Sequence, residues 1–514
     1  EDPGVMAEIE GIIRSDRARA EWALQEIADR IRRDYESLDD EYFRERGKDF
    51  QYVVERLQSA LAGDRQFTWE AMPDAVIIVA RDLSPSAFAA MDLHKVRGVA
   101  LESGGRTSHV AILARSMRLP MLMEVRGFVS AARTGDSIIL DAVRGELILR
   151  PTPARLAATS RELQDRKQEE PAPAPPVAAR TLDDVHISLR ANTELPHEVV
   201  LARNLGAEGI GLFRSEFVFF MHPNAPPDMD EQCEIYSMLA GEMMPHPVAV
   251  RTLDTGVDRL GAQDGLPAEP NPSMGLRGIR LSLASRQLFI QQVEAIYRAA
   301  AHGNIEMVLP MVSTVEEVWE AKRIAEQVRA ELQQNLGHPV APLPLGVMIE
   351  VPAAVFTLDV IAREVDFLCV GTNDLVQYLL AVDRDNPQVA HLFQPIHPSV
   401  LQCLSRIACI ANRRGIPARI CGEMSSNPFF AVLLIGMGFR QLSMNAFAVP
   451  AIRSVVCKIT TGQAGALAEK VLHMTTVQEI SAFLRDEVPR LLGEELGAFD
   501  ADLRKRITFA TETD

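Results

Sequence analysis

The sequence has little cysteine and few aromatic residues. Six of its 514 residues are cysteines and 6% are aromatic, and no cysteine lies in a CxxC pair or at the His–Cys spacing of a zinc site. This excludes a disulfide-bonded scaffold and favours a reducing, cytoplasmic compartment. The sequence also lacks a basic-then-apolar leader and any run of about 20 apolar residues, so it predicts neither secretion nor a membrane-spanning segment.

Positive charge is scarce relative to negative charge. Lys and Arg number 53 against 70 Asp and Glu, which gives a net charge of -17 at pH 7. Such an acidic chain repels nucleic acid and anionic membranes, so we predict neither as a partner. An anionic substrate would have to be held by a few arginines within a cleft. The length and the hydrophobic fraction of 47% predict well-packed cores in roughly two to four domains.

The first third of the chain divides into a helical and a strand-rich part. Between Ser15 and Leu61 apolar residues recur at helical spacing, which predicts amphipathic helices. Five β-type runs then predict a compact α/β module. They lie at residues 76–80, 96–101, 120–124, 137–141 and 146–150. A charged helix is predicted at 155–168, and the segment EEPAPAPP at 169–176 predicts a spacer between domains.

Eight further β-type runs alternate with helical stretches in the rest of the chain. They lie at residues 186–191, 209–213, 248–252, 306–311, 345–350, 366–371, 417–422 and 441–444. This alternation predicts a (β/α)₈ barrel. Polar residues end or follow nearly every run, and in such a barrel the strand ends meet on one face, where active sites are built. Two more predicted helices after the last run, a closing barrel helix and an extra one, equally suit a dimer contact.

A glycine-rich turn leads into an apolar helix in the segment GGRTSHVAILARSMRLP, residues 104–120. His109 lies where this helix is predicted to begin, and backbone N–H groups and the helix dipole favour an anion at such a position. A phosphoryl group carried on the imidazole could be held there by Gly105, Thr107 and the helix terminus. A single histidine after glycines is also typical of a capped turn without any chemistry.

The GGRTSH segment and its AILAR-type helix resemble the phosphohistidine signature of the phosphoenolpyruvate-utilising enzymes. The remaining motifs resemble enzyme I of the sugar phosphotransferase system, over nearly the whole chain. The resemblance implies that His109 takes a phosphoryl group from phosphoenolpyruvate, passes it to a small histidine phosphocarrier protein and releases pyruvate. It also implies a swivelling phosphohistidine domain, a Mg²⁺ cofactor and a homodimer formed through the barrel domain.

Arginines lie beside strand ends or turns in the segments RTLDTG at 251–256 and NPSMGLRGIR at 271–280. Arg251 and Arg277 resemble the phosphate clamps of the family. A guanidinium offers two parallel donors to phosphate or carboxylate oxygens and keeps its charge. The alternative for each is a surface arginine paired with a nearby acid.

Carboxylates and a cysteine follow later strands of the predicted barrel. In GVMIEVPAA and VGTNDLVQYLLAVDRDN the resemblance implies that Glu350 and Asp374 are Mg²⁺ ligands, with structural ion pairing as the alternative. It implies that Asn373 donates to the phosphate and that Arg384 neutralises it. In ARICGEMSSNP it implies that Cys421 is the acid that protonates the enolate of pyruvate.

The resemblance also predicts the domain organisation. The expected domains are a partial helical phosphocarrier-binding subdomain at 1–65, the phosphohistidine swivelling domain at 66–150, a helical and proline-rich linker at 151–184, and the phosphoenolpyruvate-binding barrel with dimerisation helices at 185–514. Two departures from the family stand out. Val257 and Arg259 replace part of a Gly–Gly and lysine pattern, and His109 lies close to the N-terminus. The opening strand of its domain and the first carrier-facing helices are therefore expected to be absent.

Three other functions fit parts of the pattern. A nitrogen-regulatory paralogue of enzyme I would share every motif above. A regulatory protein that senses phosphoenolpyruvate without carrier transfer would account for the shortened helical region. A pyruvate-phosphate dikinase or phosphoenolpyruvate synthase relative would need an ATP-binding domain, and the sequence has no glycine-rich nucleotide loop to form one.

Overall fold

The computed structural model describes most of the chain beyond residue 75. Apart from isolated positions, the described residues are 12–14, 75–83, 95–103, 119–142, 144–168, 178–220, 226–256, 271–384 and 388–493. By internal contacts the chain divides into two compact units, Glu1–Ser160 and Arg161–Asp514. Leu24 and Ile27, two apolar positions of the first predicted helix, are helical and buried. The other predictions for 15–61, and the proline-rich segment 169–176, lie outside the described residues.

A parallel sheet forms the centre of the first unit. β1 (Val76–Ala80) and β3 (Met121–Leu122) lie on either side of β2 (Val96–Leu101), and β2 is buried along nearly its whole length. A separate antiparallel hairpin joins β4 (Ile138–Asp141) to β5 (Glu146–Leu149). Each of these five strands lies within the run from which the sequence predicts it. Between residues 119 and 168 the structure describes two helices, α1 (Phe128–Ala131) and α2 (Pro153–Gln168).

Eight parallel strands close into a barrel in the second unit. They are β6 (Ser188–Thr193), β7 (Ile210–Arg214), β8 (Val248–Arg251), β9 (Ile305–Leu309), β10 (Leu345–Ile349), β11 (Phe367–Val370), β12 (Ala418–Ile420) and β13 (Gln441–Asn445). The strands pair in sequence order, and β13 pairs with β6 to close the ring. Every predicted run overlaps one strand, so the prediction of a (β/α)₈ barrel is confirmed.

Helices surround the barrel. They are α3 (Glu198–Asn204), α4 (Glu216–Phe220), α5 (Met229–Met243), α6 (Ile279–Ala284), α7 (Arg286–Ala299), α8 (Val315–Leu336), α9 (Pro352–Phe356), α10 (Leu358–Ile361), α11 (Thr372–Leu380), α12 (Pro398–Arg414), α13 (Pro428–Gly436), α14 (Val449–Val456), α15 (Thr461–Leu472) and α16 (Val477–Leu492). The two predicted C-terminal helices are α15 and α16. No helix in the described ranges has both the length and the hydropathy of a membrane span.

Two apolar layers fill the barrel unit because successive strand residues face opposite sides of a sheet. In β10, Val347 and Ile349 pack into the large core beneath the helices, whereas Met348 joins a smaller cluster. That cluster also contains Cys369 and Cys421 from the neighbouring strand region, and its members are almost entirely buried. The alternation therefore places Cys421 among residues that face the interior of the barrel.

Candidate active site

A buried arginine joins two carboxylates at the end of β8. Arg251 is the last residue of that strand, and its Nη2 lies 2.9 Å from Oε2 of Glu216, the first residue of α4. Its Nη1 lies 2.8 Å from Oδ2 of Asp254. Arg277 approaches the same carboxylate, with Nη2 at 2.9 Å from each Asp254 oxygen. Both predicted clamp arginines therefore pair with acids, as in the alternative of a surface ion pair. Unlike that alternative, the pairs lie in a buried cluster.

Charge and burial compete in this cluster. Burial alone would raise the pKa of Asp254, but the guanidinium groups of Arg251 and Arg277 outweigh it and hold that pKa below its usual value. Burial instead raises the pKa of Glu216. The positive charge of Arg251 counteracts this rise, and the negative charge of Asp254 adds to it. The guanidinium groups of Arg251 and Arg277 are thus both held by Asp254. The phosphate or carboxylate of a polyanionic substrate could take the place of some of these ion-pair contacts.

Glu350 follows β10 and is fully buried. Its Oε1 accepts a hydrogen bond from the backbone N–H of Met311 at 2.6 Å, whereas its buried Oε2 has no hydrogen-bond partner among the described residues. Burial, together with the charges of Asp374 and Asp254, raises the pKa of Glu350 to about 8. A Cβ at Gly371 would lie 2.6 Å from Oε2, so the glycine leaves this oxygen room for a ligand.

Asp374, in the first turn of α11, presents a second carboxylate. It is 8% exposed, and its Oδ1 is likewise a buried atom that nothing within the described ranges hydrogen-bonds. Two hard oxygen atoms without donors suit a Mg²⁺ ion, which takes few protein carboxylates and keeps several waters. Clusters of three or more His, Cys, Asp or Glu side chains suited to a metal are absent from the described residues. Glu350 and Asp374 are the two acids that would hold such an ion.

The two predicted phosphate-contacting residues lie on either side of Asp374 in sequence. Asn373 uses its Oδ1 to accept from the backbone N–H of Glu423 at 3.3 Å, which leaves its amide N–H groups as donors. Arg384 places Nη2 3.6 Å from Oδ1 of Asp374, and its buried Nη1 lacks a hydrogen-bond partner in the described part of the chain. Hence both side chains keep a donor available for an anion.

Cys421 follows β12 and is 2% exposed. Its Sγ donates to the carbonyl oxygen of Gly211 across the barrel, at 3.7 Å. Burial raises the pKa of this thiol well above its usual value, and a hydrogen bond with Cys369 adds to the rise, while Arg419 and Arg190 oppose it. At neutral pH the thiol is therefore protonated, which is the state that an acid needs.

Tyr378 is a site residue that the sequence did not single out. Its hydroxyl accepts from Arg277 Nη1 at 3.2 Å and donates to the carbonyl oxygen of Ser273. Since Tyr378 lies one turn after Asp374 on α11, the i, i+4 spacing was the available signal. We use the term rim cluster for the ionisable groups assembled at this end of the barrel. Its members are Glu216, Arg251, Asp254, Arg277, Glu350, Asp374 and Arg384.

Comparison with known proteins places this geometry in a family. The family description "PEP-utilising enzyme, PEP-binding domain" matches residues 168–461, more than half of the chain. The chain belongs to the phosphoenolpyruvate-utilising enzymes. The descriptions of the mobile domain and of the N-terminal domain of the same enzymes match residues 72–145 and 1–46. The resemblance drawn from the motifs is thereby confirmed.

Curated relatives within the phosphoenolpyruvate-utilising enzymes carry the name phosphoenolpyruvate-protein phosphotransferase. The protein of Geobacillus stearothermophilus is 36% identical over 489 residues, which are 94% of this chain and 84% of the relative. That of Cupriavidus necator is 36% identical over 502 residues, with 94% and 85% covered. That of Staphylococcus aureus is 34% identical over 491 residues, with 95% and 86% covered.

Part of the predicted site of this family member lies outside the described residues. His109, with Gly105 and Thr107 before it, falls in that part, and so do Val257 and Arg259. Seven predicted residues remain. Arg251 and Arg277 meet on Asp254, and Arg384 pairs with Asp374. Glu350, Asn373 and Cys421 each follow a strand of the barrel. His109 itself belongs to the first unit and the rim cluster to the second. The roles of all these residues stay predictions.

Proposed function

We propose that this chain transfers the phosphoryl group of phosphoenolpyruvate to His109 and then to a small histidine phosphocarrier protein, with release of pyruvate. This is the first step of a phosphotransferase system. The observation that carries the proposal is the rim cluster, where cations and carboxylates with unpartnered buried atoms share the carboxyl end of the barrel. The relatives named phosphoenolpyruvate-protein phosphotransferase support the choice of substrate and reaction.

The chemistry divides between two units of the chain. At the rim, Arg251, Arg277 and Arg384 neutralise the phosphate and carboxylate of the substrate, and Asn373 donates to the phosphate. The neutral imidazole nitrogen of His109 attacks phosphorus, so that a P–N bond forms while the bond from phosphorus to the enol oxygen breaks. The enolate of pyruvate keeps the electron pair. Cys421 then gives its thiol proton to the methylene carbon, and water returns a proton to the thiolate.

Glu350 and Asp374 fit a Mg²⁺ ion by the unpartnered oxygens described above. When bound, such an ion supplies positive charge to the developing enolate and phosphate oxygens. The protein's own part is to hold these carboxylates in place: Met311 fixes Glu350 through its backbone N–H, and Gly371 leaves the space beside Oε2.

A homodimer formed through the barrel unit and a cytoplasmic location complete the proposal. All six cysteines are free thiols, which supports a reducing compartment. The net charge of -17 argues against nucleic acid as a partner.

The test is transfer of label from radiolabelled phosphoenolpyruvate. With Mg²⁺ we expect an acid-labile label on the wild-type chain, none on His109→Ala, and full labelling of the control His391→Ala, which changes an exposed histidine. Addition of a small histidine phosphocarrier is expected to remove the label from the chain. Saturable substrate binding without any label would contradict transfer and leave only a sensing role.

A further inference from the structure

Two arginines and one acid meet inside the barrel, away from the rim cluster. We call Arg190, Glu306 and Arg419 the interior charge cluster. Oε2 of Glu306 accepts from Arg419 Nη2 at 2.8 Å and from Arg190 Nη1 at 3.3 Å. The guanidinium carbon of Arg419 also lies 4.9 Å from the ring centroid of Phe367, within cation–π range. Arg190 lies on β6, Glu306 on β9 and Arg419 on β12, so closure of the barrel brings the three charged side chains together.

The interior charge cluster has one positive charge more than its acid balances. Burial lowers the pKa of Arg190 to about 10, which still leaves it charged at neutral pH. The side chains of Arg190 and Arg419 are 9% and 2% exposed. Nε of Arg190 is buried, and none of the described residues provides it with an acceptor. An unbalanced charge at such depth is costly, so an additional anion nearby would be stabilised.

Arg419 of the interior charge cluster and Cys421 share one hydrogen-bond acceptor. The backbone oxygen of Gly211 accepts from Arg419 Nη1 at 3.0 Å and from Cys421 Sγ at 3.7 Å. Arg419 and Cys421 are two residues apart, so they share a face of β12 and its extension. A side chain at Gly211 would lie against Ser443 and within 3.0 Å of Arg419 Cδ, so the glycine leaves the path of Arg419 open.

The charged and titratable groups around the thiol are the two arginines, Glu306 and Cys369. Both arginines lower the pKa of Cys421, against the larger effect of burial and that of Cys369. They therefore favour the thiolate over the thiol. The hydrogen bond with Cys421, together with Arg419 and Arg190, lowers the pKa of Cys369, so the two cysteines share the excess positive charge that Glu306 leaves.

We propose that the interior charge cluster stabilises the thiolate that Cys421 becomes after it has given its proton to the enolate of pyruvate. This inference rests on the proposed function for the role of Cys421. The S–H bond breaks and a C–H bond forms at the methylene carbon, so the electron pair and negative charge remain on sulfur. That charge offsets the unbalanced guanidinium charge within the barrel. Arg190 and Arg419 are positioning residues that act through the thiol and touch no substrate.

The experiment separates proton transfer from phosphoryl transfer. In D₂O with Mg²⁺, exchange of the pyruvate methyl protons reports on the thiol, whereas the first turnover of label from phosphoenolpyruvate reports on phosphoryl transfer. Arg190→Met is expected to slow the exchange by about tenfold or more, the effect of about one pKa unit on the thiol, with first-turnover labelling changed by less than about twofold. Arg190→Lys, which keeps the charge, is expected to restore most of the exchange.

Arg414→Met is the matched control, because Arg414 is also ion-paired and also has a buried Nε without a partner within the described ranges. It lies away from Cys421, and both rates are expected to stay at the wild-type level. Equal losses of exchange and labelling in Arg190→Met, or no recovery in Arg190→Lys, would overturn the inference in favour of a structural role.

A measurement without substrate distinguishes failure of this inference from failure of the proposed function. In protein labelled with ¹³C at cysteine Cβ, the Cys421 resonance is assigned by its loss in Cys421→Ser and followed with pH. Arg190→Met is expected to raise the titration midpoint by about one pH unit. A shifted midpoint in a chain that accepts no label would contradict only the proposed function. An unshifted midpoint in a chain that labels normally would contradict only the inference.

Discussion

The rim cluster and the interior charge cluster use the same unit, two arginines on one carboxyl group, but differ in the ratio of acids to arginines. At the rim, four carboxyl groups face three guanidinium groups, and two of those acids have a buried oxygen without a donor among the described residues. In the interior, two guanidinium groups share one carboxylate. The rim is thus suited to receive a cation together with its substrate, and the interior to receive an anion that forms during the reaction.

The largest effect is expected where the rim loses negative charge. Asp374→Asn keeps the shape of the side chain but removes one of the two proposed metal-binding carboxylates. We expect Mg²⁺-dependent labelling by phosphoenolpyruvate to fall about a thousandfold, or about 4 kcal/mol, since the metal and the substrate would both be held less well. Initial rates over a range of Mg²⁺ concentrations measure this.

Asp359→Asn is the control for this change. Asp359 also pairs with arginines, but on the outside of the barrel at α10 and α12. Labelling at the wild-type rate in Asp374→Asn would show that the metal is held by other residues.

The next effect compares the stability of the two clusters. Arg251→Met leaves Glu216 and Asp254 buried with less compensation, whereas Arg190→Met leaves Glu306 paired with Arg419. Breaking the buried pairs of Arg251 is expected to cost about 3 kcal/mol, and Arg190→Met less than about 1 kcal/mol. The urea midpoint of the barrel's unfolding transition measures both. Equal costs would mean that the excess charge in the interior has no consequence for the folded state.

A smaller effect is expected at the thiol of Cys421. Cys421→Ala removes the proposed acid and is expected to slow steady-state pyruvate formation about a hundredfold, while KM for phosphoenolpyruvate stays nearly constant. The buried Cys403→Ala is the control, since Cys403 lies on α12 and belongs to the core beneath the helices. An unchanged turnover in Cys421→Ala would remove the acid role from this residue.

The sequence predicts the rim better than the interior for a physical reason. Glu350, Asp374 and Cys421 follow apolar runs, and a polar residue at the end of a buried strand is visible without knowledge of the fold. Arg190 and Arg419 lie within such runs, where their charge only interrupts an apolar pattern. Their shared partner lies more than 100 residues away in sequence, at 116 positions from Arg190 and 113 from Arg419.

The partners of the rim arginines illustrate the same limit. Asp254 is a polar residue shortly after a predicted strand, but its contact with Arg277 depends on the isolated bridge that pairs Gly256 with Arg277. Likewise, the eight strands follow from apolar runs, whereas closure depends on the pairing of β13 with β6 across nearly half of the chain. Local patterns predict the elements, and the register that decides which charges meet is set only by packing.

The smallest effect is expected at Tyr378, which connects the rim to the loop at Ser273. Burial raises the pKa of its hydroxyl to about 12, so the hydroxyl remains a neutral donor to the Ser273 carbonyl while it accepts from Arg277. Tyr378→Phe removes both bonds but keeps the ring and the salt bridge from Arg277 to Asp254. The loss of one support for a correctly paired arginine is expected to cost about 1 kcal/mol, seen as a rise in KM of about fivefold with little change in kcat. A fall in kcat with constant KM would instead place the hydroxyl in contact with the reacting groups. Tyr378 would then be a neutral donor to the substrate beside the charged groups of the rim cluster.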